Sequence, residues 1–322
     1  MKNRTETKLS VIVCSRSPEP TEAFSENIKQ TAGLPYELIW IDNSKGEYSI
    51  FSAYNAGVAR SSGDILVFCH EDIYFHTQGW GKVLERLVSD ARTGMVGVFG
   101  FQTVGDLDDF RVWGTDGFGY LIQGMRLRQS GEYLSYPVRW GDCDSAPHAE
   151  EVVFLDGLFL AASRSLFDEI RFDEKFGGFH AYDFDICMQA VEAGRRNMAT
   201  NEILIEHYSP GNFDRRFAEA NARLYAKWRH ALPIVRGLEG ERLSKAHQTI
   251  ESHRKSILPG LLYISEGSAS RLDYRMLRTY LRIGANDASS AKRYVDSYVR
   301  DKRNPLKYRI KLWMKFWRLK IK

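Results

Sequence analysis

The chain has little cysteine: four residues in 322, at positions 14, 69, 143 and 187. No CxxC pair occurs, so the common zinc and redox spacings are absent. Thiols this scattered suit a reducing, cytoplasmic compartment better than a disulfide framework. Long apolar runs are also missing. A membrane span needs roughly 18 apolar residues, and the longest candidate, VVFLDGLFLAA, is interrupted by Asp156. The apolar stretch in MKNRTETKLSVIVCSR is too short for a signal peptide. No GxGxxG follows the first candidate strand and no GxxxxGK[ST] occurs, which argues against a dinucleotide fold and a P-loop enzyme. Internal repeats and low-complexity tracts are lacking as well.

What charge there is sits in one place. The formal net charge is +4, yet residues 302–322 carry nine Lys or Arg and no acid. The rest of the chain holds 36 basic against 41 acidic residues, a net −5. Basicity is therefore a property of the tail, and the body offers no basic groove for nucleic acid.

Four short apolar runs, Leu9–Val13, Glu37–Ile41, Ile65–Cys69 and Met95–Phe99, alternate with amphipathic stretches. Runs apolar on both faces predict a parallel sheet covered on two sides, built from βαβ units. Thr21 is placed to cap a helix running to Gly33, with Phe24 and Ile28 on its inner stripe. A second helix is predicted from Ile50 to Ser62. A third carries Trp80, Val83, Leu84, Leu87, Val88 and Ala91 at helical spacing. Residues 100–150, dense in glycine, aspartate and aromatics, read as loops around a site. Val152–Ala162 reads as one further buried strand, and Asp183–Glu192 as a helix closed by Gly194. Beyond His207 the pattern is helical, with a stripe of Phe217, Leu224, Tyr225, Trp228 and Leu232, then segments near 240–257, 271–283 and 288–302.

The most informative stretch is GDILVFCHEDIYF, residues 63–75, an apolar run ending in His70, Glu71 and Asp72. In open α/β sheets ligands bind at the C-terminal ends of strands, where this run delivers an imidazole and two carboxylates. Alternate residues point to one side, so His70 and Asp72 are spaced to share a divalent cation, with Glu71 turned away as a structural pair.

In chain order the sequence shows SVIVCSR, ELIWIDNS, NAGVARSSGDILVFCHED, DGLFLAASRSLF, FDEKFGGFHAYDFDICMQAVEAG and a histidine at 207. This order resembles the family 2 glycosyltransferases of the GT-A fold, in particular the branch typified by a streptomycin-biosynthesis protein, over about residues 8–212. The resemblance implies an α/β GT-A (Rossmann-like) domain over 1–212; the helical pattern beyond it predicts an extension over 213–303 and a basic amphipathic helix over 304–322. It implies a metal-dependent, inverting transfer of sugar from a nucleotide-diphosphate donor to a glycan or lipid-linked acceptor, with Mn²⁺ or Mg²⁺ as cofactor.

Residue by residue, the resemblance puts Ser15 and Arg16 against the nucleotide base and lets Asp42 accept from a base N–H. Asp42-Asn43-Ser44 also reads as a plain turn. Asn55 and Asp64 would line the nucleotide, with Gly57 allowing close approach. Asp72 matches the last acid of the family's Asp-x-Asp; His70 replaces the first, a departure, and His207 would complete the metal shell. Asp183 would be the base that deprotonates the acceptor. Tyr182 replaces the acid that usually precedes it, a second departure, and Asp185 would cap the helix. Apart from the resemblance, Asp156 lies in an otherwise apolar run where an unpaired buried charge is costly, so it is expected to reach a cavity or an Arg, with acceptor or donor-sugar contact as the functional option. Trp113 and Trp140 are candidates for stacking on sugars.

Asn304-Pro305 is a good helix start. Ile310, Trp313, Met314, Trp317 and Ile321 then fall on one face among lysines and arginines, a pattern for an anionic membrane surface, a partner helix or nucleic acid. The first of these is favoured, which would make the protein peripheral at the membrane's inner face. A non-catalytic nucleotide-sugar or glycan-binding protein on the same fold remains the alternative.

Overall fold

The computed structural model describes residues 6–105, 116–126, 131–144, 146–209 and 215–256, with 299–300, 306–307, 309–310 and 313–314. Trp113, the 271–283 segment and most of 288–302 lie outside them. The chain divides into two compact units. The first takes Met1–Thr103, Asp116–Phe213 and Val235–Leu238; the second takes Val104–Thr115, Asp214–Ile234 and Glu239–Lys322.

The first unit begins β1 (Leu9–Ser15), α1 (Glu22–Thr31), β2 (Tyr36–Asp42), α2 (Ile50–Arg60), β3 (Ile65–Cys69), β4 (Ile73–Phe75) and α3 (Trp80–Val88). There follow β5 (Thr93–Gly97), β6 (Phe99–Phe101), β7 (Thr103–Val104), β8 (Gly117–Arg126) and β9 (Tyr133–Trp140). Then come β10 (Ala149–Val152), β11 (Phe154–Leu155), β12 (Phe159–Ser163), α4 (Tyr182–Glu192), β13 (Arg196–Thr200) and β14 (Ile205–His207). In the second unit α5 (Arg215–Trp228) and α6 (Gly240–Ser256) are helical.

The early elements follow from local chemistry. Thr21 caps α1 by accepting the Phe24 N–H at 3.2 Å, and Phe24 and Ile28 are buried. Ser49 and Ser52 form a reciprocal capping box at the start of α2. Trp80 and Leu84 anchor α3 in the core, while Ala91 falls beyond the helix and is exposed. In α5, Phe217, Leu224, Tyr225 and Trp228 are buried, as helical spacing requires.

Two sheets share the first unit. The larger runs β10-β13-β5-β12-β3-β1-β2, with β1 parallel to both β2 and β3. It is mixed rather than all-parallel: β12 runs antiparallel between β3 and β5, and β10 antiparallel to β13. An apolar run reports burial on both faces, which a central antiparallel strand shares with a parallel one. The smaller sheet runs β11-β6-β8-β14-β4, with β9 on β8.

Several sequence runs pass from one sheet to the other. Met95–Phe99 is split at Val98 between β5 and β6. Val152–Ala162 is three strands, not one, because Val153 and the Asp156–Leu158 turn switch sheets. The 100–150 region also departs from expectation, since β8 and β9 pair from Gly119↔Trp140 to Arg126↔Tyr133. Aromatic and β-branched side chains make that hairpin a sheet despite its glycines. Gly124 is one of them by necessity, for a Cβ there would lie 2.1 Å from the Tyr133 hydroxyl oxygen.

Candidate functional site

The chemistry gathers where the chain leaves the large sheet. Ser15 and Asp42 are register partners at the C-terminal ends of β1 and β2, and His70 follows β3 directly. His70-Glu71-Asp72 is itself the link from β3 in the large sheet to β4 in the small one. The small sheet then returns His207 to the same edge, because β14 pairs His207 with Ile73 of β4. Two backbone bonds pin the link: His70 N–H donates to the Leu158 carbonyl at 3.0 Å, and Tyr208 N–H to the Asp72 carbonyl at 2.9 Å.

Three ligand-type atoms meet there. His70 Nδ1 is 3.4 Å from His207 Nε2 and 3.9 Å from Asp72 Oδ1, and His207 Nε2 is 3.5 Å from the same oxygen. Atoms each about 2.1 Å from one ion stand about 3 to 4 Å apart, so the three fit a single divalent cation. Burial would raise the Asp72 pKa, but hydrogen bonds from His207 and Ser209 and the nearby imidazoles hold it down at about 2. Burial, then the neighbouring His207, pushes His70 below its ordinary value. A neutral imidazole beside an ionised carboxylate is the state a metal needs.

Hydrogen bonds around the cluster assign the ring nitrogens. The Tyr182 hydroxyl donates its one proton to the Gly157 carbonyl at 2.9 Å and lies 2.9 Å from His70 Nε2. With the tyrosine proton on that carbonyl, an Nε2–H on His70 would donate to the tyrosine oxygen and leave the Nδ1 lone pair facing Asp72 and His207. Gln123 lies beside His207. Its amide nitrogen donates to the carbonyls of Gly124, His207 and Ser209, and its Oε1 lies 3.4 Å from His207 Nδ1.

Across the Asp156–Leu158 turn stands a second carboxylate. Asp183, in the first turn of α4, accepts the Gly157 N–H at 3.1 Å and its neighbour Phe184's N–H at 2.9 Å. Burial, and next the charge of Asp156, raise its pKa to about 7. Asp156 is half-buried and accepts the Leu158 N–H at 3.0 Å, which explains an acid in an apolar run: it builds the turn. Ala181, the residue before α4, sits at φ 68° without a side-chain cap. For a residue with a Cβ that conformation is strained, and it aims Tyr182 and Asp183 at the carbonyl and the N–H of one residue, Gly157.

The remaining candidates divide. Ser15 Oγ donates to Glu71 Oε2, so the residue turned away from the metal edge pairs with β1. Arg16 is exposed just beyond β1, and Asp42 is exposed and accepts the Ser44 N–H at 2.8 Å, a turn contact. Asn55 and Asp64 are not brought to this edge. Asn55 bonds the backbone of Phe172 in both directions and the Glu174 side chain. Asp64 precedes β3 and accepts the Lys8 N–H at 3.0 Å. That puts it a strand length, roughly 20 Å, from His70. Gly57 allows close approach to Ile12 rather than to a ligand: a Cβ there would lie 2.2 Å from Ile12 Cγ2. Asp185 is fully buried and accepts from Gln189 one turn on, so it is not an exposed cap.

Trp140 packs on Phe99 and Phe101. The exposed ring on its face of the small sheet is Tyr136, which sequence reasoning missed. Ile73, His207, Gln123 and Tyr136 form one lateral row across β4, β14, β8 and β9. Tyr136 therefore shares the face of His207 two strands away, and is 45% exposed. Period-2 alternation along β9 carried the signal, but only pairing with β8 aligns it with the site.

An α/β unit with its chemistry at the C-terminal ends of parallel strands, and a small sheet returning a histidine to that edge, has the GT-A fold, here with helices α5 and α6 following. The chain belongs to the Glycosyltransferase like family, which it matches over residues 10–207. A search of curated proteins finds no match. Among solved structures the chain is similar to the crystal structure of GalNAc-T7 with UDP, GalNAc and Mn2+: 11% identity, TM-score 0.45, 77% of this chain and 55% of that one. It is also similar to A197 from STIV, with 12% identity and TM-score 0.36 over 63% of this chain and 86% of that one. The chain thus spans little more than half of the GalNAc-T7 chain, and neither likeness bears on the chemistry of the site.

Proposed function

We propose that the protein is a metal-dependent, inverting glycosyltransferase of the branch its motif order resembles. It would move a sugar from a nucleotide-diphosphate donor to a glycan or lipid-linked acceptor. The observation that carries this reading is the pairing of a His70–Asp72–His207 cluster with Asp183 through the single Gly157 turn.

His70, Asp72 and His207 would hold the cation, and two imidazoles with one carboxylate suit Mn²⁺ better than Mg²⁺. When bound, such an ion neutralises charge on a departing diphosphate. The chain's own residues do the rest. The β1 and β2 ends, with Ser15, Arg16 and Asp42, flank the base. Asp183, with a pKa near 7, is poised to accept the acceptor's hydroxyl proton. As that oxygen bonds to the anomeric carbon, the bond to the diphosphate breaks on the opposite face and the nucleoside diphosphate leaves with its electron pair. Tyr136 offers a ring face to an acceptor sugar.

We read residues 304–322 as a membrane-surface helix that would bring a lipid-linked acceptor near. Leu306, Ile310, Trp313 and Met314 are exposed at helical spacing, amid nine basic residues and no acid over 302–322. Among the described residues no helix is long and apolar enough to cross a membrane. Sedimentation with phosphatidylglycerol vesicles but not phosphatidylcholine ones is the expected behaviour; indifference to lipid charge would refute it.

The test of the main reading is a screen of nucleoside diphosphates and nucleotide sugars by thermal shift, with and without Mn²⁺ or Mg²⁺, followed by transfer assays. A metal-dependent shift lost in Asp72→Ala, with nucleoside diphosphate released only when an acceptor is present, is expected. Donor binding without turnover across a broad acceptor panel would favour the binding-protein alternative.

A further inference from the structure

The two positions where this chain departs from the pattern it resembles, His70 and Tyr182, are in contact. We infer that Tyr182 is a positioning residue that fixes His70 in its Nε2–H tautomer, making Nδ1 the ligand atom, and ties the cation site to the Asp183 base through the Gly157 peptide. This rests on the proposed function, since it assigns a role around the proposed cation.

The argument is one of proton counting. An aspartate at position 70 would present an oxygen in any orientation, with no tautomer to choose. An imidazole ligates through one nitrogen, and the other must be protonated and satisfied. Tyr182 is buried, with its hydroxyl 2.9 Å from both the Gly157 carbonyl and His70 Nε2 and Tyr54 as a further hydroxyl neighbour; a carbonyl can only accept, so the geometry directs the Tyr182 proton to Gly157 and an oxygen lone pair toward Nε2. A carboxylate at 182 would have no proton for that carbonyl.

The same glycine is held through its N–H as well. Gly157 N–H donates to Asp183 Oδ2, so consecutive residues of α4 grip the two polar groups flanking one glycine. A Cβ on Gly157 would stand 2.3 Å from the Tyr182 oxygen, so the grip requires glycine there. A ring rotation of His70 would strip Tyr182 of its donor and disturb the turn that orients Asp183.

Two measurements on the full chain test this. In long-range ¹H–¹⁵N spectra of ¹⁵N-histidine protein without metal, His70 should appear as the Nε2–H tautomer; the Nδ1–H form would overturn the inference. Mn²⁺ affinity, followed by the electron paramagnetic resonance of free Mn²⁺, gives the second. Tyr182→Phe should weaken binding about 10–100-fold in the parent, yet by less than about threefold in a His70→Asp background, where no tautomer needs fixing. Equal losses in both backgrounds would make Tyr182 merely structural, and no loss in either would remove its role. Should the parent itself bind no Mn²⁺, the proposed function fails first, and the tautomer spectrum still reads the hydrogen bond on its own. Gly157→Ala, with its turn displaced, should shift the His70 resonances, and unchanged spectra in a folded variant would count against the relay.

Discussion

Asp72 and Asp183 are the same side chain in opposite surroundings. Asp72 stands among His70, His207 and Ser209, and its pKa falls to about 2. Asp183 is enclosed near Asp156, and its pKa climbs to about 7. One stays an anion down to about pH 2, and the other changes charge near neutrality. Divergent carboxylate pKa values on either side of one cleft are how a protein divides charge stabilisation from acid–base work. Tyr182 and Gly157 join the two halves, so neither is set independently of the other.

The largest predicted effect separates the halves by mutation. Asp72→Ala should abolish turnover and the metal-dependent nucleotide shift together. Asp183→Asn should cost about 10²–10⁴-fold in turnover while leaving nucleotide–metal binding within about twofold. Equal loss of nucleotide binding in both variants would break the division of roles.

The next effect is in pH. Turnover is predicted to rise as pH passes through about 7, because the base acts only when deprotonated. Asp156→Asn removes the neighbouring like charge and should move that midpoint down, a shift read from the kcat profile. Stability carries opposite signs on the two sides. A carboxylate with a raised folded pKa contributes stability below its ordinary value of about 4 and loses it as pH rises through 7, which applies to Asp183. A lowered one contributes above about 4 and loses it as pH falls through 2, which applies to Asp72. Urea unfolding at pH 5 and pH 8 should therefore show a penalty at pH 8 that Asp183→Asn reduces.

A smaller effect lies at the rim. Tyr136→Ala is predicted to raise the acceptor KM about tenfold, the scale of one lost aromatic contact, with the donor KM unchanged. Steady-state kinetics with each substrate varied in turn would separate the two.

The smallest concerns a residue the motif order had put at the nucleotide. Gly57→Ala should destabilise the fold by about 1–3 kcal/mol through overpacking on Ile12, with no change in nucleotide affinity. Weakened nucleotide binding in a folded variant would return Gly57 to the site.

Much of this protein was legible in local pattern. Thr21, Phe24 and Ile28 specify α1, because a cap and a 3.6-residue stripe act within a few residues of chain. The apolar run ending in His70-Glu71-Asp72 is likewise local, and its break in composition marks a strand leaving the core. Apart from His207, which the motif order had joined to Asp72, what escaped depends on partners distant in sequence. Val152–Ala162 looks uniform because burial is uniform, yet it crosses between two sheets, and Asp156 makes sense only as the turn between them. Asn55 and Asp64 carry side chains suited to ligands, but the sheet sends one to Phe172 and the other to the wrong end of β3.

The sequence alone determined α1, α2 and the strand that ends in His70-Glu71-Asp72, since capping and apolar periodicity are short-range properties. Only the tertiary structure decided that His70 meets Tyr182 across 112 residues and that Gln123 stands beside His207, the partners on which the free nitrogen of each ring depends. A tautomer is set by the partner of the other nitrogen, and that partner is chosen by folding.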